Sequence, residues 1–125
     1  MGKGGFRELR VWQKGKDLAV DIYKLTSASP FNADYGLRDQ MRWAAVSIPG
    51  NIAEGDERNT DKEAVRFFYI SKGSAAELPT QLVIAAEIGY VSEPAFAAFE
   101  NNCIEISKML SKLIAARSEG PHGIS

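Results

Sequence analysis

The sequence predicts an all-α fold, an antiparallel up-down-up-down four-helix bundle. Three observations lead there. Apolar residues recur at three- and four-residue spacing in four long segments, which is the period of one helix face. Those segments are joined by short stretches rich in Gly, Pro, Ser, Asn and Asp, which favour neighbours that run in opposite directions. No period-two run is long enough to read as a strand. The 125 residues are expected to form one domain, with a core over about 6–117 and flexible termini.

The glycine-rich start, Met1 to Gly5, is expected to be mobile, and pattern begins at Phe6. Val11, Gly15, Leu18, Ile22 and Leu25 form a heptad seam, widened by Trp12, Ala19 and Tyr23. Ser27, Ser29 and Pro30 end this helix, and Asn32 or Asp34 can cap the next. The second helix, Tyr35 to Gly55, is the element around which the others pack. Leu37, Met41, Ala44, Ala45, Ile48 and Ile52 line its apolar face, and Ala44, Ala45 and Ser47 keep its middle thin. Pro49 is expected to kink it and Gly55 to stop it.

Thr60 followed by Glu63 matches a capping box, so a third helix starts there. Its seam is Ala64, Phe67 or Phe68, Ser71, Ala75, Leu78, Leu82 and Ala85. The small residues Gly73 to Ala76 are expected to touch the thin middle of the second helix. Pro79 should kink the third helix and Gly89 end it. Ser92, Glu93 and Pro94 resemble an N-cap and first turn. The fourth helix carries Phe96, Phe99, Cys103, Ile106, Leu110 and Leu113 on its seam, and Glu119 to Ser125 is a frayed tail.

With 45% hydrophobic and 25% charged residues, the composition is that of a globular protein. A net charge of −1 argues against a strongly basic nucleic-acid binder but leaves room for a local patch. The single cysteine cannot form an internal disulfide, which suits a reducing cytoplasm. No secretory leader and no run of about 18 apolar residues is present, so a membrane is not an expected partner.

Catalysis is not expected. His122 lies in a Gly/Pro tail where nothing would orient it, and a general base must be held in position. Cys103 sits on an apolar seam, where it reads as a small core residue. A carboxylate-bridged metal site would need Glu-x-x-His pairs that this chain lacks, so no metal or other cofactor is implied. Residues Asn51 to Gly55 lack the spacing of a phosphate loop, and Asn51 and Glu54 read as structural polar groups at a helix end. Arg42 and Glu77 both flank the small-residue contact. They could form a partly buried pair or stay solvated on outer faces.

Basic residues give the remaining functional signal. Arg7, Arg10 and Lys14, then Arg38 and Arg42, then Arg58, Lys62 and Arg66 repeat at helical spacing, and such rows can contact phosphates. Interspersed acids make solvated i,i+4 pairs the competing explanation. Trp12, Trp43, Phe67, Phe68, Tyr69, Ile70, Val83, Met109 and Ile114 exceed what one seam per helix can bury, which predicts self-association.

FRELRVWQKGKDLAVDIYKLT, YGLRDQMRWAAVSIPGNIAEG, FFYISKGSAAEL, and IAAEIGYVS followed by ISKMLSKLI resemble the four-helix bundle family of 23S ribosomal RNA intervening-sequence proteins, from about Phe6 to Ile114. That family is similar in turn to the accessory protein of diversity-generating retroelements, in which a basic surface engages nucleic acid and a reverse transcriptase. The resemblance implies a homopentameric ring and RNA as a partner. It extends to Gln40, Arg42, Ala44, Ala45, Ser47, Asn51, Ala53, Glu54 and Gly55, and to Gly73, Ser74, Glu77 and Leu78. Two positions depart from the family pattern: Trp43 stands where a second basic residue is usual, and Pro79 where a non-proline is. The expected function is a non-catalytic homo-oligomer that binds RNA through basic helix faces. The alternative is a scaffold that recruits a protein partner, such as a polymerase, without touching nucleic acid.

Overall fold

A computed structural model describes residues 5–118. His122 and the tail from Glu119 lie outside those residues, as does most of the glycine-rich start. Four α-helices pack as a bundle, α1 (Arg10–Ser27), α2 (Tyr35–Asp56), α3 (Asp61–Glu87) and α4 (Glu93–Ser118), with no strand among the described residues. Two short 3-10 turns, Gly5–Glu8 and Phe31–Ala33, precede α1 and α2.

The helix starts follow from side chains that accept otherwise orphaned backbone N–H groups. Asp34 Oδ1 accepts from Leu37 N at 3.3 Å, and Thr60 Oγ1 accepts from Glu63 N at 3.2 Å. Ser92 Oγ takes Ala95 N at 3.3 Å. Just past the end of α3, Gly89 adopts a φ of 88°, a left-handed conformation that glycine takes without strain. The pattern at Phe6 belongs to the first 3-10 turn, and the α-helix proper begins only at Arg10.

Gly55 does not stop α2, which continues to Asp56. It is a point of close approach instead. A Cβ there would lie 2.7 Å from Phe68 Cε1 and 3.0 Å from the Ala64 carbonyl oxygen. Gly15 plays a lesser version of this part, since its Cβ would meet Ile48 Cγ2 at 3.0 Å. Pro49 and Pro79 both lie inside helices that continue past them. Each removes a backbone N–H, from the bonds normally made to Ala45 and Ala75.

The core runs through all four helices. Ile22, Met41, Ile48, Ile52, Phe68, Leu78, Leu82, Ile106 and Leu110 are fully enclosed. On α3 the seam takes Phe68 and leaves Phe67 half-buried. On α4 Ile114 is enclosed while Leu113 packs half-buried against the core, because an α-helix drifts against a strict seven-residue repeat. The expected contact between thin middles is present: Ser71 Oγ donates to Ile48 O at 2.8 Å, and Ser74 Oγ and Ser47 Oγ are 2.9 Å apart. Gly73 lies outside that contact, with nothing near its would-be Cβ.

Candidate nucleic-acid interface

The eight basic residues expected to contact phosphate divide into two groups. Four are engaged within the fold. Arg42, in the second turn of α2, reaches back to the end of α1: its Nε donates to Thr26 Oγ1 at 2.8 Å and its Nη2 to Ser27 Oγ at 3.1 Å. Its guanidinium carbon lies 4.5 Å from the centre of the Tyr23 ring. The suggested pair with Glu77 is therefore absent; Arg42 turns towards α1, and Glu77 is exposed on α3. Sequence spacing could not show this, because the hydroxyl that captures Arg42 is 16 positions away.

Arg38 pairs with Asp39 at 2.9 Å, donates to Asn32 O at 3.0 Å and covers the Tyr35 ring. Arg58 pairs with Glu54, four residues earlier on the same face. Lys14 pairs with Glu105 of α4, and the ammonium holds the Glu105 carboxyl below its ordinary range. The solvated i,i+4 explanation accounts for Arg58, whose exposed pair with Glu54 is worth little to stability, while Arg38 pairs with the adjacent Asp39.

Arg7, Arg10, Lys62 and Arg66 remain. All four are exposed and form no ion pair among the described residues, although Arg10 lies near enough to Glu105 to help hold that carboxyl low. The turn bearing Arg7 packs on α2, with Gly5 close to Glu57 Oε2. Lys62 and Arg66 follow within a few residues, on the first turns of α3. Arg58 and Arg66 both lie against Phe67, at 4.6 and 5.6 Å from its ring centre. Arg117, which the sequence reading passed over, closes the same region by reaching Asp56 at 3.1 Å and Asp61 at 3.4 Å. By tying up those two carboxylates it reduces the negative charge beside Lys62.

Asn51 Nδ2 donates to Ser47 O at 2.8 Å and lies 2.9 Å from Ser47 Oγ, so it belongs to the α2–α3 contact through Ser74. Thr26 and Gln81 are buried polar residues with no periodic signature to reveal them. Cys103 is enclosed, and burial, with a smaller contribution from Glu100, pushes its thiol up to about 12. At neutral pH it is a protonated core residue. No cluster of metal-binding side chains occurs among the described residues, and no described helix is long and apolar enough to cross a membrane.

A family model described as 23S rRNA-intervening sequence protein matches residues 7–112. The chain belongs to this family. A crystal structure of a protein of unknown function from the S23 ribosomal protein family of Bacteroides thetaiotaomicron VPI-5482 matches with a TM-score of 0.76. It is 22% identical, over 83% of this chain and 97% of that one, a likeness that shows the shared fold. No curated protein matches the chain.

This member of the 23S rRNA-intervening sequence family leaves much apolar surface uncovered. Trp43 is 82% exposed, Tyr35 66% and Tyr69 58%. Ile70, Val83, Ile84, Ile88 and Ile104 are also exposed. Of the residues expected to exceed the core, Phe68 and Ile114 are inside after all, while Trp12 and Met109 are half-buried against it.

Proposed function

We propose that this protein is a non-catalytic, cytoplasmic homo-oligomer that binds structured RNA through the basic end of its bundle. The observation that carries this reading is the set Arg7, Arg10, Lys62 and Arg66, four exposed cations that form no ion pair among the described residues, Lys62 and Arg66 just after the α2–α3 connection and Arg7 and Arg10 at the start of α1 beside α4. An antiparallel arrangement accounts for this grouping. It brings the start of α1, the end of α2, the start of α3 and the end of α4 to one end, in keeping with the packing of the first 3-10 turn on α2 and with the Arg117–Asp56 ion pair. The exposed apolar residues of α2 and α3 favour self-association, and the pentameric ring implied by the family resemblance would repeat the patch around an axis. Repetition matters for a chain of net charge −1, because several weak phosphate sites on one ring act together.

A second reading is supported by Trp43, whose exposure suits protein contacts: the ring is a scaffold that recruits a protein partner such as a polymerase. Salt separates the two. Binding of a short RNA hairpin, measured by filter retention between about 50 and 200 mM salt, is expected to weaken steeply as counterions are released. Lys62→Glu with Arg66→Glu is expected to flatten the log–log slope by about two. A hairpin affinity that ignores salt, or a slope unchanged in the double variant, would remove the RNA reading from this surface. Retention of a protein partner at high salt would then favour the scaffold.

A further inference from the structure

We infer that the hollow between α1 and α2 lined by Tyr23, Asp39, Arg42, Trp43 and Val46 is a stacking site for an unpaired guanine base of bound RNA. This rests on the RNA reading above and adds a second, sequence-selective contact to it. The hollow measures about 350 Å³ and is bordered by the most exposed large apolar side chain described, Trp43. Unpaired bases are captured by stacking on aromatic rings and guanidinium planes. Both surfaces are present here.

Arg42 is held at several points. Thr26 and Ser27 fix its Nε and Nη2, and Tyr23 lies against its plane. Its orientation is set by folding, so little side-chain freedom is lost on binding. Nη1 makes no hydrogen bond within the described structure and remains available as a donor. Asp39 uses Oδ1 for Arg38 and leaves Oδ2 to solvent. The open groups are thus one fixed donor and one carboxylate acceptor beside an aromatic face.

Guanine answers both. Its O6 and N7 accept from arginine, and its N2 amino group and N1–H donate to a carboxylate. Uracil keeps a single N3–H donor for Asp39 and has no exocyclic amino group beside it. An apolar anchor from a protein would strip water from Arg42 Nη1 and Asp39 Oδ2 without replacing their hydrogen bonds, so a base is the better occupant.

The test uses the full chain with Trp12→Phe, so that fluorescence reports Trp43 alone. The probes are a single-stranded uridine heptamer and the same heptamer with one central guanosine. The guanosine probe is expected to quench Trp43 and to bind about tenfold more tightly than uridine alone. Asp39→Asn should reduce that preference. Trp43→Ala should remove it while leaving the salt slope of hairpin binding unchanged. Salt-dependent binding with no guanosine preference and no quenching overturns this site and leaves the basic end intact. A guanosine preference that survives Lys62→Glu with Arg66→Glu, whose salt slope has not changed, supports this site while the basic end fails. Loss of the oligomer on Trp43→Ala, with no quenching by either probe, makes the hollow a protein contact and overturns the proposal.

Discussion

Phe68→Ala is expected to lower the unfolding free energy by about 3–5 kcal/mol at fixed protein concentration. Phe68 is fully enclosed on the inner face of α3 and lies where Gly55 lets α2 approach. The ring fills the space that a Cβ on residue 55 would occupy, so glycine and phenylalanine act as one unit. Arg117 lies over the same ring at 5.5 Å, so its truncation also loosens the bond between α4 and the α2–α3 connection. Urea denaturation checks the magnitude. A loss below about 1 kcal/mol would mean that the site collapses around the deletion and that Gly55 is not a tight contact. The pairing has a further consequence. Gly55→Ala alone should destabilise by overpacking, and the same change in a Phe68→Leu background should cost less, because the ring atoms that clash are gone and only the Ala64 carbonyl remains close.

Raising the pH above 9 is expected to destabilise the fold through Cys103. Its thiol is pushed from 9.0 to about 12 by burial and by Glu100. A pKa raised on folding means that the native state holds its proton where the unfolded chain has released it. The thiol's contribution is therefore intact below pH 9 and is lost progressively between pH 9 and about 12. The full difference is on the order of 4 kcal/mol, and half of that is reached near the middle of the window. Alkaline pH acts on more than one group, so the test is a difference. Cys103→Ala should be less stable than the parent at pH 8, through the small cavity it leaves, and the gap should shrink or reverse by pH 11. A gap independent of pH would show that the thiol is not held protonated by the core.

Most of the bundle was legible because local chemistry decided it. Thr60 and Glu63 announce the start of α3, and Thr60 does cap it. Asp34, one of two candidates, caps α2. The small residues Ser47 and Ser74 meet as their matching positions suggested. Errors arise where an answer depended on a partner far along the chain. Gly55 reads as a stop because glycine often ends helices, yet it is needed for the approach of Phe68, 13 positions on. For Arg42 and Glu77 the sequence leaves a buried pair and solvated charges both open; Glu77 is exposed, and Thr26 and Ser27 on α1 take the Arg42 donors. Ile114 is enclosed and Leu113 only half-buried because a straight helix drifts against a strict heptad. Among the basic rows, periodicity could not separate Arg38, Arg58 and Lys14, whose side chains form ion pairs, from Arg7, Arg10, Lys62 and Arg66, which form none among the described residues.

Light scattering during size exclusion, with absorbance read at 260 and 280 nm, tests the central claim most directly. Expected is a mass of five chains of 13.7 kDa each, with an absorbance ratio raised by bound nucleic acid that falls as salt is increased. A ring free of nucleic acid at every salt concentration would move the function to the scaffold. A 13.7 kDa species at all concentrations would contradict the claim, because neither the exposed aromatic faces nor the repeated basic end would then have the assembly they require.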